Sequence, residues 1–191
     1  MSSAEPDAEL DKVECTRLLD IARAAIGAGV GGRRPTVPFG ELTPSLRRPQ
    51  ATFVTIEHGG SLRGCIGTLE AFRPLAIDVA ENAYAAAFND PRFPPVGAGE
   101  VDGLDIHISL LGAAQPMMFT SEADLIRQLR PGIDGLVLDE LGRRATLLPS
   151  VWESITDARE FLRHLKLKAG LPGDHWSTTL AVSRYTTRSI P

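Results

Sequence analysis

Two adjacent glycines, Gly59 and Gly60, divide a run of strand-forming residues into two halves, "ATFVTIEH" before them and "SLRGCIGTL" after them. A glycine pair supplies positive φ at both central positions of a tight hairpin turn, so this feature imposes an antiparallel strand pair, over 51–57 and 61–68. A two-residue loop also sets a register, in which His58 faces Ser61, Ile56 faces Arg63 and Val54 faces Cys65. Side chains alternate along a strand, which puts Arg63, Cys65 and Leu69 on one face and Leu62, Ile66 and Thr68 on the other.

The rest of the chain is built around that hairpin. From Leu10, the residues Val13, Leu18, Ile21, Ala22, Ala25 and Ile26 recur at mostly helical spacing, and Gly27 and Gly29 are expected to end the run. Residues 29–50 are rich in Gly and Pro with two Arg pairs, and read as a long loop. A helix over 74–89 is opened by Pro74 and stopped by Asp90-Pro91, and its alanines make it slim enough to lie close on a sheet. "LDIHISLL" alternates, with Leu104, Ile106, Ile108 and Leu110 on a core face and Asp105, His107 and Ser109 opposite. "SEADLIRQL" reads as a short helix capped by Ser121, and "DGLVLDELGRRATLLP" as a second hairpin. "TDAREFLRHLKLKAG" is an amphipathic helix capped by Thr156 or Asp157, and "STTLAVSRYTTRSI" a last strand. Helices and hairpins interspersed in this way define an α+β class with a largely antiparallel sheet. The expected organisation is a disordered tail at 1–8 and a single domain over 9–189.

Composition excludes several function classes. The net charge is −4 with a pI near 5.6, and aromatic residues make up 6% of the chain, so neither a basic field nor a stacking platform for DNA or RNA is present. No apolar run approaches the roughly 18 residues of a membrane span. The acidic, polar opening "MSSAEPDAELDKVE" is unlike a signal peptide, and Cys15 and Cys65 are too few for a disulfide framework. The expectation is a cytoplasmic protein with reduced thiols. Four scattered histidines without paired spacing call for no metal site. The chain carries no phosphate loop, dinucleotide fingerprint or nucleophile-elbow serine, so no cofactor is expected.

Chemistry concentrates at Arg63-Gly64-Cys65-Ile66-Gly67. In an extended strand Arg63 and Cys65 lie roughly 6.6 Å apart along the backbone. A guanidinium at that range favours the thiolate that a reactive cysteine needs. Gly64 and Gly67 would then leave an open notch beside the thiol. The opposing reading makes Cys65 a small apolar residue in a crowded strand and Arg63 half of a structural ion pair. His58 shares the face of Cys65 but lies about 13 Å along the strand, too far for a direct pair. Cys15, inside the first helix, reads as a structural thiol.

The stretches "FVTIEHGGSLRGCIGTLE", "AENAYAAAFNDPRFPPV", "DIHISLL", "RPGIDGLVLDELGRRATLLPSVWE" and "FLRHLKLKAGLPGDHW", in that order, resemble the AMMECR domain family. Bacterial and archaeal members of that family are called AmmeMemoRadiSam system protein A. The resemblance runs from about Leu10 to Arg188 and implies an α+β fold with a larger and a smaller lobe. It implies companions rather than an activity: a Memo-like protein resembling extradiol dioxygenases, and a radical S-adenosylmethionine protein. Carried over residue by residue, the motif marks Arg63, Gly64, Cys65, Gly67, Asp90, Arg92 and Phe93. Two functions follow. In one, Cys65 is a thiolate in a thiol-dependent enzyme or enzyme component. Arg63 is then its electrostatic partner, and Gly64, Gly67, Asp90, Arg92 and Phe93 line a small-molecule pocket where Arg92 joins Arg63 as an anion clamp. In the other, the glycine-rich strand is a docking surface of a non-catalytic adaptor for the Memo-like partner.

Overall fold

The computed structural model describes residues 10–191, so the tail expected at 1–8 lies outside the described residues. The chain divides into two units, one formed by the described residues up to Leu111 together with Arg188–Pro191, the other by Gly112–Thr187. The α+β class with antiparallel pairing is observed, its strands shared between two four-stranded sheets.

The first unit opens with α1 (Lys12–Val30), started by a capping box in which Asp11 and Glu14 bond each other's backbone N–H groups. The helix runs through Gly27 and Gly29 instead of ending there. At Gly29 a Cβ would lie 2.1 Å from the half-buried ring of Phe88, which occupies the space. Leu18, Ile21, Ala22, Ala25 and Ile26 form the buried row, whereas Val13 is 76% exposed and Leu10 is buried. The segment expected as a loop over 29–50 contains a 3-10 turn at Phe39–Glu41 and a short helix, α2 (Pro44–Arg47). Leu42 and Leu46 anchor it in the core.

Strands β1 (Thr52–His58) and β2 (Ser61–Gly67) form the hairpin, followed by α3 (Leu75–Phe88) and β3 (Leu104–Leu111). The sheet order is β2-β1-β3-β8, where β8 is Thr187–Ile190, which makes β2 an edge strand. Thr52, Val54, Ile56, Leu104, Ile106, Ile108 and Leu110 are buried on the inner side, and β3 shows the expected alternation. The final run is two strands, not one: β7 (Ala181–Tyr185) belongs to the second sheet and β8 (Thr187–Ile190) to the first. Neither half shows a clean alternation, so the run carries no periodic signal that marks the break at Thr186.

In the second unit the sheet order is β4-β7-β5-β6, with β4 (Gln115–Pro116), β5 (Gly135–Glu140) and β6 (Arg143–Leu147). Its helices are α4 (Glu122–Gln128), capped by Ser121, and α5 (Ala158–Lys168), capped by Asp157. The indole of Trp152 stacks on Phe161 at 3.9 Å between centroids while its N–H donates to the carbonyl of Asp134 at 2.7 Å, satisfying both its apolar face and its polar edge. Lys166 is fully buried, and its ammonium donates to Glu122 at 2.6 Å.

Candidate functional site

The hairpin register differs from the one a simple two-residue turn dictates. His58 does face Ser61, but Glu57 faces Leu62 and Ile56 faces Gly64, so Arg63 is an extra residue in a β-bulge. Beyond the bulge every pair is displaced by one position: Cys65 faces Thr55, not Val54, and Ile66 faces Val54. The cause lies outside the hairpin. The guanidinium of Arg63 donates to both oxygens of Glu100, at 2.8 and 3.1 Å, and to the carbonyls of Pro94 and Pro95 at 2.8 and 3.3 Å. Four acceptors on the segment after α3 thus hold Arg63, whose side chain is 13% exposed, out of the ladder.

That ion pair settles the electrostatics of Arg63. Its charge is neutralised by Glu100, whose carboxyl is held down from 4.5 to about 2 by the Arg63 hydrogen bonds, with help from the backbone N–H of Gly97. The expected pairing of Arg63 with the thiol is replaced by an ion pair that pins the bulge.

The same post-helix segment closes the edge of β2. Cys65 donates its N–H to Asp90 at 2.9 Å, and Arg92 reaches the carbonyl of Cys65 at 3.4 Å. Asp90 and Arg92 are joined by a fork of bonds at 2.9 and 2.7 Å. The Arg92 guanidinium, with the Cys65 and Arg92 backbone N–H groups, holds the buried Asp90 carboxyl well below the ordinary carboxylate range despite burial. An edge strand exposes backbone groups that invite pairing with another chain, and here the carboxylate and the guanidinium take their place. Arg92 and Arg63 are both committed to carboxylates, so the arrangement is not the two-arginine anion clamp expected from sequence. Phe93 is half-buried, with Arg92 stacked over its ring at 5.4 Å.

The notch expected from the glycines is occupied. A Cβ on Gly64 would lie 2.1 Å from the carbonyl oxygen of Ala86 in α3, and one on Gly67 would lie 2.2 Å from the ring of Phe53. Gly64 lets the alanine-rich helix touch the strand, on the face opposite Cys65. Gly67 makes room for an aromatic ring.

What surrounds the thiol is a row across the outer face of the sheet. Cys65 on β2 faces Thr55 on β1, which in turn faces His107 on β3. All three are half-buried, neither in the core nor fully open. The hydroxyl of Thr55 donates to the Cys65 sulfur at 3.3 Å. Sequence reasoning missed Thr55 because an unbulged register pairs Cys65 with Val54. His107 was visible on the polar side of β3, and only strand order brings it into line with Cys65. His58 lies at the hairpin end, beside Gly103. Among the described residues, no group of three His, Cys, Asp or Glu side chains is arranged to hold a metal ion. No helix among them is long and apolar enough to cross a membrane.

Two antiparallel sheets with an Arg-Gly-Cys-Ile-Gly edge strand, closed by the Asp-Pro-Arg segment after a slim helix, define the class of protein that the resemblance implied. The chain belongs to the AMMECR1 family, whose sequence profile matches residues 19–190. It is 40% identical over 168 residues to a protein of Methanothermobacter thermautotrophicus, covering 87% of this chain and 88% of that one. A protein of Thermotoga maritima is 39% identical over 143 residues, 74% of this chain and 77% of its own length. The crystal structure of an uncharacterized protein from Pyrococcus horikoshii superposes with a TM-score of 0.85 at 31% identity, covering 91% of this chain and 88% of that chain.

Proposed function

We propose that the outer face of the first sheet around Cys65 is a thiol-bearing site for a small molecule, and that the chain works as a thiol-dependent enzyme or enzyme component of an AmmeMemoRadiSam system. The observation that carries this reading is how Cys65 is held. Its backbone N–H and carbonyl bond Asp90 and Arg92, its sulfur receives the Thr55 hydroxyl, and it stands on the face of the strand opposite the core. A cysteine used only for packing has its sulfur among apolar side chains. In this reading Cys65 is the nucleophile or redox thiol and Thr55 stabilises its thiolate. Arg63 positions the strand through Glu100. His107 stands at the other end of the row, two strand spacings or about 10 Å from Cys65. A small molecule lying across Thr55 spans that distance, leaving His107 as the group able to exchange a proton with its far end.

The second reading is an adaptor that docks a Memo-like protein, with the radical S-adenosylmethionine protein as a further companion. Exposed apolar side chains favour it: Leu62, 42% exposed and brought by the bulge onto the face of Cys65 instead of the opposite one, and Phe72, 66% exposed after β2. Kinetics with a panel of chloroacetamide fragments, followed by intact mass and peptide mapping, separates the two. A small-molecule site gives labelling at Cys65 that saturates with fragment concentration and is lost in Cys65→Ser. Labelling that stays linear for every fragment, at Cys65 and Cys15 alike, would leave the adaptor.

A further inference from the structure

A groove lies in the first unit, away from Cys65, between one face of α1 and the segment 33–38. Its cavity is about 360 Å³, at the small end of ligand-sized clefts. The floor is apolar and made of short side chains: Ile21, Ala24, Ala25 and Ala28 on successive turns of α1, and Ala80 from α3. The wall is the segment itself, in which Pro35 and Pro38 each fix one φ angle. Both ends of the wall are tied. The Arg33 N–H bonds the carbonyl of Ala28 at 2.9 Å, the Glu41 N–H bonds that of Pro38 at 3.0 Å, and Leu42 is buried.

We propose that this groove binds a small organic anion, a carboxylate or a phosphate monoester, that carries a short apolar body. Arg17, Arg33 and Arg34 line it, against the single carboxylate of Asp20. None of the three guanidiniums is closely committed. Arg17 stands 3.6 Å from Glu41 and Arg34 stands 3.9 Å from Glu81, both beyond hydrogen-bonding distance, and all four residues are surface-lying or half-buried. Arg33 has no acidic partner among the described residues. Loose surface pairs are worth little and exchange readily, whereas a guanidinium fork takes up carboxylate or phosphate oxygens in two parallel bonds. Arg34 is also aimed from outside: its guanidinium lies 4.9 Å from the centre of the Tyr84 ring, which limits the positions its charge can occupy. The alanines leave room for an apolar body and the arginines meet its anionic end. Thr36 adds a hydroxyl to the wall.

The test is titration of the full chain at low salt with phenyl phosphate, benzoate, inorganic phosphate and benzyl alcohol, followed by calorimetry and by amide shifts in the NMR spectrum. At least one organic anion is expected to bind about tenfold more tightly than both inorganic phosphate and benzyl alcohol, since charge and apolar body both contribute. Shifted amides should cluster within 17–38. Phenyl phosphate alone responding makes the ligand a phosphate monoester, and benzoate alone responding makes it a carboxylate. Arg33→Ala, which breaks no ion pair within the described residues, should weaken binding at least about fivefold. Ala24→Leu, filling the groove from an exposed position, should abolish it. Binding of neither organic anion overturns the proposal. So does affinity matched by benzyl alcohol or inorganic phosphate, or binding that both variants leave unchanged.

Discussion

At Gly64 one added carbon would lie 2.1 Å from the carbonyl oxygen of Ala86 and 2.9 Å from its carbonyl carbon, both backbone atoms of a buried helix. At Gly67 the obstacle is the Phe53 ring, which is half-buried and has somewhere to turn. The two positions look alike in sequence but differ in how far the obstacle can yield. Gly64→Ala is expected to cost about 3 kcal/mol or more, because α3 must move off the strand, and Gly67→Ala roughly 1–2 kcal/mol. Urea midpoints of the two variants check this, and equal midpoints would show that α3 does not press on β2. Arg63 has a similar lesson. Its four hydrogen bonds make Arg63→Met a destabilising change of about 2 kcal/mol, leaving Glu100 without its counter-charge. The strand pattern could not name these acceptors, because none of them is near Arg63 in sequence.

Among the elements, those set by local rules were legible. Gly59-Gly60 marked the first hairpin, alternation marked both faces of β3, Ser121 marked one helix start, and a second was narrowed to Thr156 or Asp157, of which Asp157 is the cap. What stayed hidden was decided by distant groups. The bulge answers to Pro94, Pro95 and Glu100, the lack of a side chain at Gly29 answers to the ring of Phe88, and the division of the last run answers to two different sheets. Thus Cys65 was visible as a candidate while its neighbour Thr55 was not. The second hairpin offers a prediction of its own. Its turn is Leu141-Gly142, with φ of 49° and 83°, and Leu141 is 81% exposed. A leucine is strained in the left-handed region, where asparagine is tolerated, and it buries little there in return. Leu141→Asn is therefore expected to stabilise by roughly 0.5–1 kcal/mol, raising Tm by about 1–4 °C. An unchanged or lower Tm would mean that Leu141 makes a stabilising contact this account lacks.

Over the whole molecule, both units contribute to the acid limit, because in the second the Ser177 hydroxyl holds Glu140 down and the Thr120 backbone N–H holds Asp124 down. In the first, Glu100 and Asp90 are held below their ordinary values by arginine partners. Carboxylates depressed in the folded state contribute stability above their unfolded values and lose it as pH falls, for Glu100 from 4.5 towards about 2. In the second unit burial pushes the Tyr185 hydroxyl up from 10.0 to about 12, against the opposing hydrogen bond with Thr146. A raised value contributes stability below pH 10.0 that is lost as pH rises towards 12. Glu100→Gln should flatten the acid limb of a Tm-against-pH curve and leave the alkaline limb, and Tyr185→Phe should do the reverse. Either variant flattening the other's limb would contradict the assignment.

The central claim is that Cys65 is held for reactivity and that Thr55, not Arg63, tunes its sulfur. Iodoacetamide rates at Cys65 and Cys15, assigned by peptide mass in folded wild type, Thr55→Val and Cys65→Ser, test it most directly. Cys65 is predicted to react faster than Cys15, and Thr55→Val to slow Cys65 alone by roughly twofold to tenfold, the worth of one net hydrogen bond. Equal, slow labelling of both cysteines, with no response to Thr55→Val, would make Cys65 a packing residue and contradict the account.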